Sequence, residues 1–264
     1  MKFEKVDPYE VYEMAVSRPA HNYFVCYTLN NKQPYESCWV LKENGILMVA
    51  VFFRKTKLVQ VVYKPEVDLM AYRDDFKQLF SEQEWHQAVV TGQVKDVFDA
   101  LSEQIEYENG AVIASCEASD YHCKAMETPQ NVAIRTIDVD DIEAVVPLYT
   151  EVFKGFASLS YMKEKLEKGR GRALGLYIEG ALVSVAQTDY ETSDSVIIVG
   201  VATYKAHQGQ GLGRLCFQAL CDRLVQEGKK LYLQYDDPIA GRLYESVGFK
   251  TIEQIYKIEK RNNK

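Results

Sequence analysis

Three glycines stand close together at the start of a predicted helix. Gly209, Gly211 and Gly213 follow an apolar strand-like run, 195–203, and open an amphipathic stretch, 211–227. Each glycine inside a helix costs ~1 kcal/mol relative to alanine, so the cluster needs a reason. Glycine lets the backbone approach a ligand at positive φ, and the N–H groups and dipole of a helix start attract an anion. The pattern predicts a diphosphate site, with a ligand-free turn as the alternative.

Two common phosphate loops do not fit this segment. No Gly-Lys-Ser/Thr sequence follows the glycines, as a Walker A loop would require. Arg214 stands where the third glycine of the dinucleotide-binding fingerprint would fall. If this turn binds a diphosphate, it is therefore a phosphate-binding loop of another type.

Two segments of the chain carry a family pattern. The stretch 208–213 reads QGQGLG, and a later segment reads LYLQYDDPIAGRLYESVGF. The first resembles the signature of the GCN5-related N-acetyltransferases, the GNAT family: Arg or Gln, two residues, Gly, one residue, then Gly or Ala. In the second, the residues at the family's usual spacing are Ala240, Leu243, Tyr244, Gly248 and Phe249. The resemblance covers about residues 131–258 and implies a GNAT-like acyl-CoA N-acyltransferase fold there.

The resemblance implies acetyl-CoA as the acyl donor, with no metal. The strand would run alongside the pantetheine arm, the glycine loop would hold the pyrophosphate, and an N–H near Val201 would polarise the thioester carbonyl. The cofactor-binding residues implied in this way are Val199, Val201, Ala202, Thr203, Gln208, Gly209, Gln210, Gly211, Leu212, Gly213, Arg214 and Asp237.

Tyr244 is the catalytic residue that the resemblance implies. The leaving thiolate needs a proton, and the family often places a tyrosine acid at this position. A tyrosine with its ordinary pKa of ~10 is protonated at neutral pH and can donate. The alternative is a packing role on the short predicted helix 239–246.

Asp237 departs from the family pattern. Many relatives carry an asparagine here that hydrogen-bonds near the pantetheine, and an ionised aspartate cannot donate such a bond. The carboxylate can accept a hydrogen bond instead, and its place before helix 239–246 favours an N-cap.

The general base is harder to identify from the residues. An amine acceptor must lose a proton, and Glu191 and Asp194, between two predicted strands, are the candidates, each with an exposed turn residue as the alternative. His207 could contact a phosphate and Glu151 a cationic amine, and both could also be plain surface residues.

The second half of the chain alternates strands and helices. This pattern predicts an α/β fold, more exactly an α+β mixed sheet with helices on both faces. Helices 140–153 and 159–168, with the loop 154–156 between them, would form one wall of the acceptor site. The predicted strands are 132–136, 172–178, 181–188 (a hairpin with the previous one through Glu179-Gly180), 195–203, 231–235 and a last pair near 249–258.

The first half of the chain also mixes predicted strands and helices. We expect a smaller α/β domain of unknown role over 1–128, and its strand and helix content indicates a degenerate copy of the GNAT-like fold. The polar stretch Cys123–Asn131 with Pro129 reads as the linker to a domain over 131–264. The predicted elements are a helix from Asp7 to Val16, strands 36–42 and 46–53 joined by Glu43-Asn44-Gly45, strand 57–63, helices 67–80, 81–91 (capping box Ser81 and Glu84) and 93–106 (ended by Asn109-Gly110), and strand 111–116.

The composition of the chain excludes several classes of partner and site. The net charge of −7 opposes contact with nucleic acid and suits a cationic amine. It also counts against a two-lobed aminoacyl transferase, which would grip an RNA-linked donor. The longest apolar run, Ile46–Phe53, is shorter than the ~20 residues of a membrane span, and no signal peptide is evident, so a cytoplasmic location is expected. The six cysteines lack zinc-site spacing and are expected to be reduced.

These observations predict an acetyl-CoA-dependent N-acetyltransferase. The acetyl group would pass to a primary amine of a small molecule or peptide by direct attack on the thioester, without nucleic-acid or membrane partners and with a homodimer left open. The alternative is a catalytically silent acyl-CoA-binding regulatory module.

Overall fold

Two compact units make up the chain. A computed structural model describes residues 2–31, 35–101, 105–123 and 128–261. One unit comprises Met1–Ile113 with Ile252–Lys264, and the other comprises Ala114–Thr251. Residues 124–127 of the predicted linker lie outside the described residues, and separate domains over 1–128 and 131–264 stay a prediction.

The first half of the chain contains six strands and four helices in the described residues, together with two 3-10 turns, Pro8–Val11 and Leu69–Tyr72. The strands are β1 (Glu4–Val6), β2 (Tyr35–Glu43), β3 (Ile46–Arg54), β4 (Leu58–Tyr63), β5 (Gln87–Thr91) and β6 (Ile105–Cys116). The helices are α1 (Tyr12–Val16), α2 (Tyr23–Asn30), α3 (Arg73–Glu82) and α4 (Gly92–Leu101).

The second half of the described chain has the same number of each, with 3-10 turns at Ile142–Ala144 and Lys205–His207. The strands are β7 (Val132–Thr136), β8 (Ala173–Ile178), β9 (Ala181–Asp189), β10 (Ser195–Thr203), β11 (Lys230–Tyr235) and β12 (Lys250–Lys260). The helices are α5 (Val145–Val152), α6 (Leu159–Glu167), α7 (Leu212–Gln226) and α8 (Pro238–Glu245).

The two halves repeat one order of elements. Each runs strand, two helices, three strands, helix, strand, helix, strand. The pairing repeats as well, because β1 to β4 and β7 to β10 are consecutive antiparallel strands, while β4–β5 and β10–β11 are parallel. This mixed α/β architecture confirms the predicted fold class, including a second copy of the fold in the first half.

Local sequence explains the hairpins of both halves. Asn44 and Gly45 both have positive φ, 51° and 80°, as do Glu179 and Gly180, at 50° and 85°. Turns with two positive φ angles match the twist of the strands that they join. Both predicted hairpins are confirmed.

The predicted helix over 81–91 is wrong. Ser81 lies in the last turn of α3, where its hydroxyl donates to the Gln78 carbonyl at 2.7 Å. Glu84, the other half of the predicted capping box, pairs with Lys57 at 2.9 Å. The residues that follow form β5, which pairs with β4 on one side and with β12 on the other. Its β-branched side chains fit a buried strand, and this pairing outweighs the helical spacing.

Two further element predictions need correction, and one helix was missed. Helix 93–106 ends at Leu101, residues 102–104 lie outside the described residues, and Asn109-Gly110 falls inside β6. Gly110 permits a close approach there, since a Cβ would lie 3.1 Å from the Ile255 carbonyl oxygen. Helix α2 was not predicted, and the last strand pair is one continuous strand, β12.

Apolar cores support each unit. In the first, a buried aromatic group packs α3 and α4 together, with Phe80 within 4.9 Å of Phe98 and 5.6 Å of Trp85 between ring centroids. In the second, the buried face of α7 packs on the sheet through Leu215, Phe217 and Leu220. All six cysteines are free thiols, and Cys123 is the exposed one. None of the helices in the described ranges has the length and apolarity of a membrane span.

Candidate active site

Strands β10 and β11 separate halfway along β10. Their parallel pairing runs from Ser195 with Lys230 to Ile198 with Leu233. On the opposite edge, β10 stays paired with β9 as far as Thr203. In the pairings found among the described residues, the edge from Val199 to Thr203 that faces β11 therefore has no partner strand.

A β-bulge interrupts β10 at the same point. Val199 pairs with Gln187 and Ala202 with Val185, so Gly200 and Val201 together face one residue of β9. Gly200 has a φ of +59°, and a Cβ at this position would clash with the Tyr149 hydroxyl. Glycine is required here both for the positive φ and for the space.

A chain of buried polar groups reaches the bulge from behind. The Tyr149 hydroxyl donates to the Gly200 carbonyl at 2.7 Å, and the Gln187 amide donates to the Tyr149 oxygen at 2.8 Å. The Lys165 ammonium donates to the Gln187 carbonyl oxygen, also at 2.8 Å. None of these three side chains was singled out in the sequence. The available signal was Lys165 on the apolar face of α6, one turn after Tyr161.

The glycine loop connects the end of β10 to α7. Gly209 and Gly211 have φ angles of +74° and +81°, and a Cβ at Gly213 would lie 2.6 Å from the Thr203 hydroxyl oxygen. Gln208 braces the loop by donating from its side chain to the Thr203 carbonyl at 3.0 Å. No carbonyl of the described chain accepts from the N–H groups of 209–214, which form the first turn and approach of α7. These donors and the helix dipole suit an anion.

Tyr244 lies on α8 with its ring buried at 7% exposure. The ring contacts Phe217 at 5.0 Å, Phe249 at 6.1 Å and Tyr235, the last residue of β11, at 5.4 Å between centroids. Burial raises the pKa of the hydroxyl well above its usual range, with a smaller contribution from the Cys221, Asp237 and Tyr235 charges. No hydrogen bond from this hydroxyl is found among the described residues, so it is available to a ligand.

Asp237 caps α8. Its carboxylate accepts from the Ile239 N–H at 2.8 Å, and Pro238 follows at the first helical position. The N-cap interpretation is confirmed. The carboxylate is exposed and acts as an acceptor in this contact.

The candidate bases lie away from the bulge. Glu191 follows β9 and is bound by Arg172 at 2.7 Å and by Lys229 at 3.6 Å. Asp194 is an exposed turn residue that accepts from the Thr192 hydroxyl at 2.7 Å. Both lie where β9 and β10 are joined, at least six residues before Gly200, or roughly 20 Å along an extended strand.

The remaining candidates lie beside the loop and the helix wall. Glu151 accepts from the Lys205 N–H at 2.7 Å, which fixes its carboxylate to the start of the loop region. His207 ends the 3-10 turn before the glycines. Phe153 and Phe156 both contact the Tyr149 ring, at 5.1 Å and 5.4 Å between centroids. The segment between α5 and α6 therefore covers Tyr149 with aromatic rings.

Comparison with known proteins decides the family. A family model described as GNAT acetyltransferase matches residues 63–258, well over half of the chain. The chain belongs to the GNAT acetyltransferase family. The expectation drawn from the two sequence segments is confirmed, and the match extends further towards the N-terminus than they did.

Solved GNAT structures share the fold over the whole chain. An acetyltransferase from Colwellia psychrerythraea has a TM-score of 0.68 at 12% identity, covering 99% of this chain and 100% of its own. A GCN5-related N-acetyltransferase from Sphaerobacter thermophilus has a TM-score of 0.67 at 14% identity, with coverage of 99% and 96%. A tandem GNAT protein of the clavulanic acid biosynthesis pathway has a TM-score of 0.63 at 12% identity, covering 99% of both chains. No curated protein matches the sequence.

Proposed function

We propose that this GNAT protein transfers the acetyl group of acetyl-CoA to a primary amine of a small molecule or peptide. The observation that carries the proposal is the unpaired edge of β10, Val199 to Thr203, which leads directly into a glycine loop with free N–H donors. An extended arm beside the edge and an anion at the loop are what such a surface binds. Acyl-CoA has both parts in that order.

The loop residues would bind the diphosphate through main-chain groups. The N–H groups of Gly209, Gln210, Gly211, Leu212, Gly213 and Arg214 supply the donors, and the Gln208 side chain is already engaged with the strand. The backbone of Val199, Val201, Ala202 and Thr203 would pair with the amides of the pantetheine arm. Asp237 follows β11 and its carboxylate accepts from the Ile239 N–H as the cap of α8, so we assign it no donor role toward the pantetheine.

Acetyl transfer requires a hydrogen-bond donor to the thioester carbonyl oxygen and a group that stabilises the leaving sulfur. As the amine nitrogen attacks the thioester carbon, negative charge moves to the carbonyl oxygen, and the Val201 N–H would stabilise it. The carbon–sulfur bond then breaks with its electron pair on the sulfur, which leaves as a thiolate, and the proton lost by the nitrogen passes through water to that thiolate. Tyr244 would donate a hydrogen bond to that sulfur from its free hydroxyl.

An amine acceptor agrees with the charge of the protein and with the wall beside the bulge. The net charge is −7, which attracts a cationic amine. The aromatic rings of Phe153 and Phe156 at the Tyr149 end of α5 can face the carbon skeleton or the cation of the acceptor.

The proposal is tested by mixing purified protein with acetyl-CoA and a panel of amines, including polyamines, aminoglycosides and peptides with free N-termini. We expect release of CoA thiol, detected with a thiol reagent, to depend on one class of amine. Reactions without amine give the hydrolytic background. Calorimetry with acetyl-CoA alone measures binding separately.

One observation favours a second function, a regulatory module that binds acyl-CoA without turnover. In the described residues, Glu191 and Asp194 are remote from the bulge and Glu151 is bound to the Lys205 N–H. A proton acceptor for the amine is therefore not evident. Tight acetyl-CoA binding without thiol release for any amine would support this function, and absence of acetyl-CoA binding would contradict both.

A further inference from the structure

The buried chain behind the bulge has a fixed hydrogen-bond direction. Lys165 can only donate, so the atom that it contacts in Gln187 is the carbonyl oxygen. The Gln187 nitrogen then faces Tyr149 and can only donate to it, at 2.8 Å. The Tyr149 proton is left for the Gly200 carbonyl, at 2.7 Å. One lysine therefore sets the orientation of every group as far as the backbone of β10.

Burial of Lys165 carries a large desolvation cost for its ammonium group. Its side chain is 2% exposed on the inner face of α6. Burial lowers the pKa of the ammonium to about 8, against the opposing effect of the Asp189 and Glu191 carboxylates and with a further lowering from Arg170. Asp189 is itself bound by the Tyr161 hydroxyl at 2.7 Å. An apolar residue of similar length would fill this space without desolvation, so the amine calls for a polar role.

The series of hydrogen bonds from Lys165 ends at the Gly200–Val201 peptide, which is the peptide that the proposed chemistry needs. The Gly200 carbonyl and the Val201 N–H belong to the same planar peptide, and no cis peptide bond is found in the described chain. In a trans peptide the two groups point in opposite directions. When Tyr149 holds the carbonyl, the Val201 N–H is directed away from Tyr149. Hydrogen bonds in series also polarise one another, by roughly 10–30% per bond, so the N–H becomes a stronger donor.

We propose that Tyr149, Gln187 and Lys165 are positioning residues that orient and polarise the Gly200–Val201 peptide for contact with the thioester carbonyl. The inference rests on the proposed function, since the contact is with acetyl-CoA. None of the three touches the reacting atoms. They act through the peptide, and Gly200 is the residue that allows the Tyr149 hydroxyl to approach it.

The test reads the thioester itself and needs no acceptor. The carbonyl stretch of acetyl-CoA labelled with ¹³C at the carbonyl is measured by infrared difference spectroscopy, free and bound to the full chain. We expect the wild-type protein to lower this frequency. Tyr149→Phe should lose most of that shift while the dissociation constant of acetyl-CoA, measured by calorimetry, stays unchanged within error. With an active amine, kcat should fall about 10-fold, less than the ~10²–10³-fold for complete loss of an oxyanion donor.

A second variant separates hydrogen-bond direction from packing. Gln187→Glu has the same shape and keeps the Lys165 contact, but its carboxylate cannot donate to Tyr149. The Tyr149 proton would then turn to the carboxylate, and the Gly200 carbonyl would lose its donor. We expect the same loss of shift as in Tyr149→Phe. Tyr121→Phe is the control, because it removes a tyrosine hydroxyl that binds Asp222 at 2.7 Å and takes no part in the hydrogen bonds from Lys165 to Gly200.

The outcomes distinguish this inference from the proposed function. A wild-type-like shift in either variant that binds acetyl-CoA would overturn the positioning role and leave the acetyltransferase proposal intact. Loss of acetyl-CoA binding in both variants would also overturn it, because the chain would then serve the shape of the site. If wild-type protein does not bind acetyl-CoA, the proposed function itself fails.

Discussion

The Tyr244 hydroxyl has a raised pKa and no hydrogen-bond partner in the described chain. A free thiol has a pKa near ~8.5, so complete proton transfer from this tyrosine to the leaving thiolate would be unfavourable. Donation of a hydrogen bond to the sulfur is favourable, because a charged acceptor strengthens it. The role that fits the burial of Tyr244 is therefore stabilisation of the leaving sulfur, with the proton arriving from the amine side.

The change Tyr244→Phe tests this role. A hydrogen bond to a charged group contributes about 1.5–3 kcal/mol, so kcat should fall about 10- to 150-fold, with a smaller effect on acetyl-CoA binding. The measurement is steady-state kinetics together with calorimetry. Tyr177→Phe is a matched control, since its ring lies under Arg135 at 4.0 Å and has no place in the site. Unchanged turnover in Tyr244→Phe would remove Tyr244 from the mechanism.

Residues in local motifs could be predicted from the sequence, and residues brought together by the sheet could not. The glycines of the loop and Tyr244 lie within short segments whose spacing is itself the pattern. Tyr149 and Lys165 lie 38 and 22 positions from Gln187, and Tyr149 lies 51 positions from Gly200. They meet because β9 and β10 pair with a particular register and α5 and α6 pack on one face. No spacing along the chain encodes that register.

The glycine loop joins two elements through two different uses of glycine. Gly213 is a packing residue, since a side chain there would meet the Thr203 hydroxyl at the end of β10. Gly209 has open space around it and a φ of +74°, so its lack of a side chain serves the backbone conformation and the approach of a ligand. A substitution at Gly209 therefore affects ligand approach without disturbing the helix–strand contact.

We expect Gly209→Ala to weaken acetyl-CoA binding about 10- to 150-fold, because charge-assisted contacts to the diphosphate contribute about 1.5–3 kcal/mol. Calorimetry measures the affinity. Gly180→Ala is the matched control, since Gly180 also has a positive φ, +85°, and open space but lies in the β8–β9 turn. Both variants should lose similar thermal stability through strain at positive φ. Equal affinity in the two variants would contradict a diphosphate site at the loop.

Element prediction failed where tertiary pairing decides the conformation. The stretch that forms β5 carries helical spacing, but Ala88 and Val89 pair with β4 on one side and with β12 on the other, and this double pairing holds them extended. Strand β12 comes from the other end of the sequence, so its presence beside β5 could not be read locally. The hairpins, in contrast, were predicted correctly because Asn44-Gly45 and Glu179-Gly180 specify their turns by themselves.

The chain contains two copies of one fold, and among the residues that the structure describes only the second copy carries the features of the proposed site. After β4, where the second copy has its glycine loop, the first has Lys64 to Asp68. The Asp68 carboxylate caps the next turn through the Met70 N–H at 3.0 Å, and Glu66 is exposed beside it. Strands β3 and β4 pair without a bulge. Phe98 occupies the seventh position of α4, as Tyr244 does in α8, and has no hydroxyl.

These differences predict one acetyl-CoA per chain. Two carboxylates at the first-copy turn would repel a diphosphate, and the Met70 N–H there is already bound. Calorimetric titration of the full chain should give one site, with protein concentration fixed by tyrosine and tryptophan absorbance. Gly209 lies in the second copy, so Gly209→Ala should weaken the whole of the acetyl-CoA binding that the titration detects. A second site of similar affinity, or tight binding that survives in Gly209→Ala, would show that the first copy also holds acyl-CoA despite its acidic turn.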